Sequence, residues 1–198
     1  MWTASFLGFL VIAFVRKQLE AKPQVIVKPT GHNVSALSKL ELERFVSTFP
    51  YSSEAFLVDE VLSVDPAKLE IEARMDTTRP LPVARFQVGD PGVHPRHVSG
   101  PDLVLLTGNL GCLHAYFLHS CRWEEGWVGF GNRIHRADFR SLVNIGPPLR
   151  LHSRETKVRE GPKRVVLRYE FRFWQEERLV YFGDQSAIFV KGRAFEGD

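Results

Sequence analysis

Two histidines, a serine and an aspartate stand close together in the run His94-Pro95-Arg96-His97-Val98-Ser99-Gly100-Pro101-Asp102. A histidine side chain in water titrates near neutrality, so His94 or His97 could accept a proton from carbon or from a water molecule. Ser99 followed three residues later by Asp102 approximates a capping box, with Asp in place of the usual Glu or Gln, and predicts a helix opening at Gly100. The first backbone N–H groups of such a helix lack intrahelical acceptors, so those near Gly100 could hold a developing oxyanion; Pro101 removes one of them. Asn109 is the polar residue of the apolar stretch that follows, two turns beyond Asp102 and on the same helix face. Its amide could orient a water or bond a substrate oxygen, but it cannot act as an acid. A bland role competes at each position: a helix cap for Ser99 and Asp102, a surface or structural role for the histidines, and a backbone-bonded amide for Asn109. Thr107 and His114 are secondary candidates, read first as packing or edge residues.

These residues need a scaffold, and the hydrophobic pattern supplies its outline. Leu103, Val104, Leu105 and Leu106 through Leu110, Leu113 and Phe117 make a segment apolar nearly all round, which predicts a buried helix from Gly100 to about His119. Gly108 and Gly111 each cost such a helix about 1 kcal/mol relative to Ala, which suggests close backbone approach or room for a ligand. Val165, Leu167, Tyr169, Phe171 and Phe173 alternate with polar residues, the period of a strand with one buried face. Similar strands are expected over about 56–64, 68–75, 126–135, 149–159, 164–174 and 179–190, the last three as an antiparallel meander. Asp65-Pro66-Ala67-Lys68 reads as the turn between the first two strands. Residues 36–48 suggest a short amphipathic helix capped by Ser35, and residues 77–93, rich in Pro and Gly, a loop.

Composition sets outer limits. A chain of 198 residues with 44% hydrophobic residues can bury a substantial core in one domain. A net charge of +3 is compatible with an acidic carrier protein or a coenzyme phosphate tail, and is too weak to point to nucleic acid. The charges of Arg154-Glu-Thr-Lys-Val-Arg-Glu160 read as a solvated sheet face. Cys112 and Cys121 lack metal-site spacing and a disulfide framework, so a reducing, cytoplasmic setting is expected and no metal or other cofactor is assigned. Trp2 to Val15 is almost wholly apolar and precedes Arg16 and Lys17, yet the run is short for a bilayer span of about 30 Å. An interfacial membrane anchor, a helix packed on the domain or a partner, and sequence upstream of the natural domain all remain open for residues 1–19. A linker follows over 20–34, the main domain is expected over 35–192, and 193–198 form a tail.

Longer segments carry a family resemblance. Phe56-Leu-Val-Asp-Glu-Val-Leu-Ser-Val-Asp-Pro66, the His94–Asp102 run and Ala137-Asp-Phe-Arg-Ser-Leu-Val-Asn-Ile-Gly-Pro-Pro-Leu-Arg-Leu151 resemble, in order, segments of the 3-hydroxyacyl-ACP dehydratases of the hot-dog superfamily. The implied fold is α+β, an antiparallel sheet wrapped around a long central helix, and the implied ligand is an acyl thioester on acyl carrier protein or CoA. Homodimers that join sheets edge to edge are a further implication. The dehydratases pair a loop His with a helix acid. Here the His position falls at Val93, beside His94, and the acid position falls near Leu106, with no acidic residue between Leu103 and Tyr116. Pro50-Tyr51-Ser52 and Arg96–Leu103 also resemble segments of the FcoT-like fatty acyl-CoA thioesterases, which do without that pair; this resemblance implies that Tyr51 closes the acyl site.

Three activities therefore stand side by side. The leading expectation is a dehydratase-like enzyme with His94 or His97 as base, its acid entering from elsewhere, such as Asp90 or Asp138. Alternatives are a thioesterase in which a loop His and Asn109 position water, and a non-catalytic acyl-binding subunit. In each, Ser99, Gly100, Asp102 and Tyr51 would border the substrate.

Overall fold

The computed structural model describes residues 35–192 apart from 91. The expected apolar amino-terminal helix, the linker and the tail lie outside the described residues. Among the described residues, no helix is long and apolar enough to cross a membrane.

The first helix, α1 (Lys39–Thr48), starts three residues later than the sequence suggests. Ser38 is its cap: the Ser38 Oγ accepts the Glu41 N–H at 3.2 Å and the Glu41 carboxylate accepts the Ser38 N–H at 2.9 Å. Ser35 is instead extended and exchanges backbone hydrogen bonds with Val64. The reciprocal Ser38–Glu41 pair satisfies two otherwise orphan donors, which Ser35 could not match. Phe45 anchors α1 in an aromatic cluster with Phe49, Phe56, Tyr116 and Trp123.

Strands β1 (Glu60–Asp65) and β2 (Glu70–Met75) are antiparallel. The Asp65 carboxylate closes their turn by accepting the Ala67 and Lys68 N–H groups, as the sequence suggests. β1 begins later than expected because the Leu57 N–H is given to a helix side chain instead of a neighbouring strand. The central helix α2 (Gly100–Leu118) ends one residue before the predicted limit. Strands β3 (Trp127–Phe139), β4 (Leu149–Gly161), β5 (Arg164–Gln175) and β6 (Arg178–Lys191) complete a six-stranded antiparallel sheet of order β1-β2-β4-β5-β6-β3. The meander of β4, β5 and β6 is as read from the sequence.

One sheet face packs on α2. Val165, Leu167, Tyr169, Phe171 and Phe173 of β5 are all buried, whereas Arg164 through Trp174 on the opposite parity are half-buried or exposed. Gly111 allows close approach: a Cβ there would lie 3.4 Å from the Tyr169 ring, whose hydroxyl donates to the Gly111 carbonyl at 3.1 Å. Gly108 is different, since a Cβ there would meet nothing within 4 Å. Strand β3 forms one edge of the sheet, and most of its residues are exposed.

Candidate active site

The amino-terminal end of α2 is held by one carboxylate. Asp102 is buried, and its oxygens accept the Val83 N–H at 2.9 Å, the Ala84 N–H at 2.9 Å and the Ser99 hydroxyl at 2.6 Å. Ser99 Oγ in turn accepts the Asp102 N–H at 3.3 Å. The capping role read from the sequence is present, and the carboxylate additionally ties the short 3-10 turn Ala84–Phe86 to the helix. Three donors of the protein itself thus engage the Asp102 carboxylate. Gly100 lies under the Phe139 ring of β3, so closely that a Cβ would fall 3.2 Å from it. The bonds at this terminus join Asp102 N–H and Leu103 N–H to Ser99; the Gly100 N–H takes part in neither.

His94 and His97 come together. Their ring centroids are 5.1 Å apart, His94 exposed and His97 half-buried. His97 is the better oriented. Its Nδ1 is 2.9 Å from the Pro95 carbonyl oxygen, so Nδ1 carries the proton and Nε2 is left as the acceptor. Nε2 lies at 3.4 Å from the Gln87 amide nitrogen, a long contact that a water could replace, while the Gln87 Oε1 accepts the His97 N–H at 3.0 Å. His94 is fixed through its backbone in a turn with Asp90, whose carboxylate accepts the Gly92 N–H at 2.9 Å. Asp138, the other carboxylate considered as an outside acid, is paired with Arg136 and Arg140.

Asn109 and Tyr51 belong to a different neighbourhood. The Asn109 Oδ1 accepts the Leu57 N–H at 2.8 Å and its Nδ2 donates to the Ala55 carbonyl at 3.1 Å, so the amide staples residues 55–57 to α2. Both polar ends of the Asn109 amide are thus engaged with backbone. Tyr51 is exposed and packs on Phe49 at 5.6 Å.

The helix position near Leu106, where the dehydratases keep an acid, lies in the core, and the next residue is polar. Thr107 is buried and its hydroxyl lies 2.8 Å from the Gln185 Oε1 of β6, whose amide donates to the Tyr181 hydroxyl at 3.0 Å. Tyr181 packs on Phe139, which itself covers Gly100. This Thr107–Gln185–Tyr181 chain therefore connects to the helix start. Burial raises the Tyr181 pKa above its ordinary value.

The other end of α2 holds a network that the sequence reading missed. The Glu155 carboxylate bonds His114 Nδ1 and His119 Nε2, each at 2.8 Å; His114 Nε2 lies 2.8 Å from Ser153 Oγ, and His119 Nδ1 lies 2.5 Å from Glu160. Glu155 is buried, correcting the reading of 154–160 as a solvated face. Strand parity was the usable signal: Leu149 and Leu151 point inward, so Ser153 and Glu155 must as well. Burial alone would raise the Glu155 pKa, but hydrogen bonds from the two imidazoles outweigh it and bring it to about 2. Burial would lower that of His119, and the bonds and charges of Glu155 and Glu160 raise it instead. Ser153, His114 and Glu155 have the order of a nucleophile, base and acid, yet the Ser153 and His114 side chains are wholly enclosed. We assign them to the architecture of the core.

No protein-family profile matches the chain, and no curated protein sequence does. Solved structures do. A thioesterase from Haemophilus influenzae superposes with a TM-score of 0.52 at 18% identity, over 79% of this chain and 94% of that one. A mutant thioesterase from Pseudomonas aeruginosa gives 0.51 at 15% identity, over 79% and 99%. With the antiparallel sheet folded over α2, this likeness makes the protein a member of the hot-dog fold.

Proposed function

We propose that the protein hydrolyses acyl thioesters. The observation that carries this reading is the asymmetry at the start of α2: one oriented base, His97, and one acid, Asp102, whose carboxylate already accepts three donors of the protein. Hydrolysis of a thioester needs a base for water and a donor for the oxyanion. Dehydration needs an acid for the leaving hydroxyl as well, and neither Asp90 nor Asp138 is bonded to His94 or His97 side chains. The likeness of fold to two thioesterases is in keeping with hydrolysis.

In this mechanism His97 Nε2 takes a proton from water as the water oxygen attacks the thioester carbonyl carbon. The tetrahedral oxyanion is met by the Gly100 N–H at the positive end of α2. Collapse breaks the carbon–sulfur bond, and the departing thiolate recovers the proton from His97, giving a carboxylic acid and a free thiol. The exposed edge of β3 fits a homodimer in which two copies join their sheets, because a long unpaired edge is a liability in a monomer. A non-catalytic acyl-binding subunit is the second reading, favoured by the full engagement of both Asp102 and Asn109.

Saturated and 3-hydroxyacyl thioesters of CoA and of carrier protein, incubated with the chain and followed by mass spectrometry for free thiol and enoyl product, separate these readings. Thiol release that drops by about 100-fold in His97→Ala is expected. Enoyl product would establish the dehydratase instead, and binding without turnover the passive subunit.

A further inference from the structure

The outer sheet face, turned away from α2, carries an apolar patch ringed by unpaired cations at the end nearest the β4–β5 turn. Cross-strand register defines it. Arg159 of β4 stands opposite Val166 of β5, which stands opposite Ile188 of β6, which stands opposite Phe130 of β3. One step along, Arg164 faces Val190, which faces Val128. Directly paired residues project from the same side of a sheet, so both rows share the outer face. Val128 and Phe130 are 38% and 40% exposed, and Val166, Ile188 and Val190 are half-buried.

The rim is basic. Arg133, Lys157, Arg159 and Arg164 are exposed, and none forms an ion pair among the described residues. Elsewhere on the same face Arg136, Arg154, Arg168 and Arg172 are matched to Asp138, Glu170 or Asp184, while Arg74 and Arg150, at the opposite end, also lack an ion pair among the described residues, and Arg150 lies over the Trp174 ring. Glu160, the acid closest in sequence to the rim, turns inward to His119. At the rim Lys157 shares the field of Asp184, and no carboxylate is paired with Arg133, Arg159 or Arg164 among the described residues.

We propose that this patch docks on an anionic lipid surface. Apolar side chains surrounded by cations suit a bilayer interface, where the former enter the headgroup boundary and the latter meet phosphates. A second copy placed face to face would bring like charges together. The apolar run from Trp2 to Val15, with Arg16 and Lys17 behind it, has the same chemical character in the same chain. This inference is independent of the thioester reaction.

Flotation of the full chain with vesicles of phosphatidylcholine alone, or with about one-third phosphatidylglycerol, tests it. The wild type should prefer the anionic vesicles. Each basic side chain near such a surface contributes about fivefold, so the triple variant Arg133→Ser/Arg159→Ser/Arg164→Ser should bind them about 100-fold more weakly. Circular dichroism and thiol release from soluble thioesters should be unchanged. Equal binding by variant and wild type would place the contact in another part of the chain and overturn the proposal. So would wild type that ignores lipid charge, whether it instead self-associates through the patch or captures an acidic carrier protein there.

Discussion

Both ends of α2 have two histidines and a buried carboxylate, and they are wired in opposite ways. At the carboxyl-terminal end Glu155 bonds His114 and His119 directly, in the dry space between helix and sheet. At the amino-terminal end Asp102 ignores His94 and His97 and accepts three donors from Val83, Ala84 and Ser99. Both carboxylates are buried; Glu155 spends its charge on imidazoles and makes a lock. The other builds the platform on which a loop histidine stays open to solvent. Similar side chains therefore enclose a histidine at one end, His114, and leave one exposed at the other, His94.

The largest effect should come from the lock. Glu155→Leu removes the acceptor of both imidazoles and should cost about 3–5 kcal/mol in urea unfolding, because breaking a buried pair strands its partners. A loss below about 1 kcal/mol would show that the network contributes little. Its pH behaviour has a defined sign. The Glu155 pKa is depressed to about 2, so its stabilisation is complete above its ordinary value of 4.5 and is lost as pH falls toward 2. The pKa of His119 is raised above 6.5, so its stabilisation is full below that pH and fades as pH rises through the folded-state value. Glu155→Leu should flatten both branches of the stability–pH curve.

A smaller effect is expected at the platform. Asp102→Asn keeps one carbonyl acceptor where three donors converge, and should destabilise by about 1–3 kcal/mol. Hydrogen exchange should speed at the Val83 and Ala84 amides, and thiol release should fall because the loop that holds His97 loosens. Unchanged exchange at those amides would remove Asp102 from this positioning role. Smallest, and opposite in sign, is Gly108→Ala. Open space surrounds that Cβ position, so the substitution should stabilise α2 by about 0.5–1 kcal/mol in thermal or urea unfolding. Destabilisation would mean that another molecule packs closely against this face of the helix.

Much of this molecule was legible from its order of residues. The alternation of β5, the unbroken apolar character of α2, the Asp65 turn and the Ser99 cap each depend on neighbours within a few positions, and those local rules hold. The sequence reading puts the cap of α1 at Ser35 and misses by three residues, because Ser38, with Glu41 three residues on, completes a capping box; the bridge from Ser35 to Val64 then holds Ser35 extended. His94 and His97, three residues apart in the chain, also lie together in the structure, their ring centroids 5.1 Å apart.

What the sequence determined by itself is the hot-dog framework, because periodicity, capping and turn formation are short-range. What only the tertiary structure decided is the use of each polar group. Asn109 bonds a segment more than fifty residues away, and Glu155 meets histidines about forty residues distant. A carboxylate or amide has the same composition whether it faces water, a backbone donor or an imidazole; its pKa and its freedom to act are set by the partners that folding brings to it.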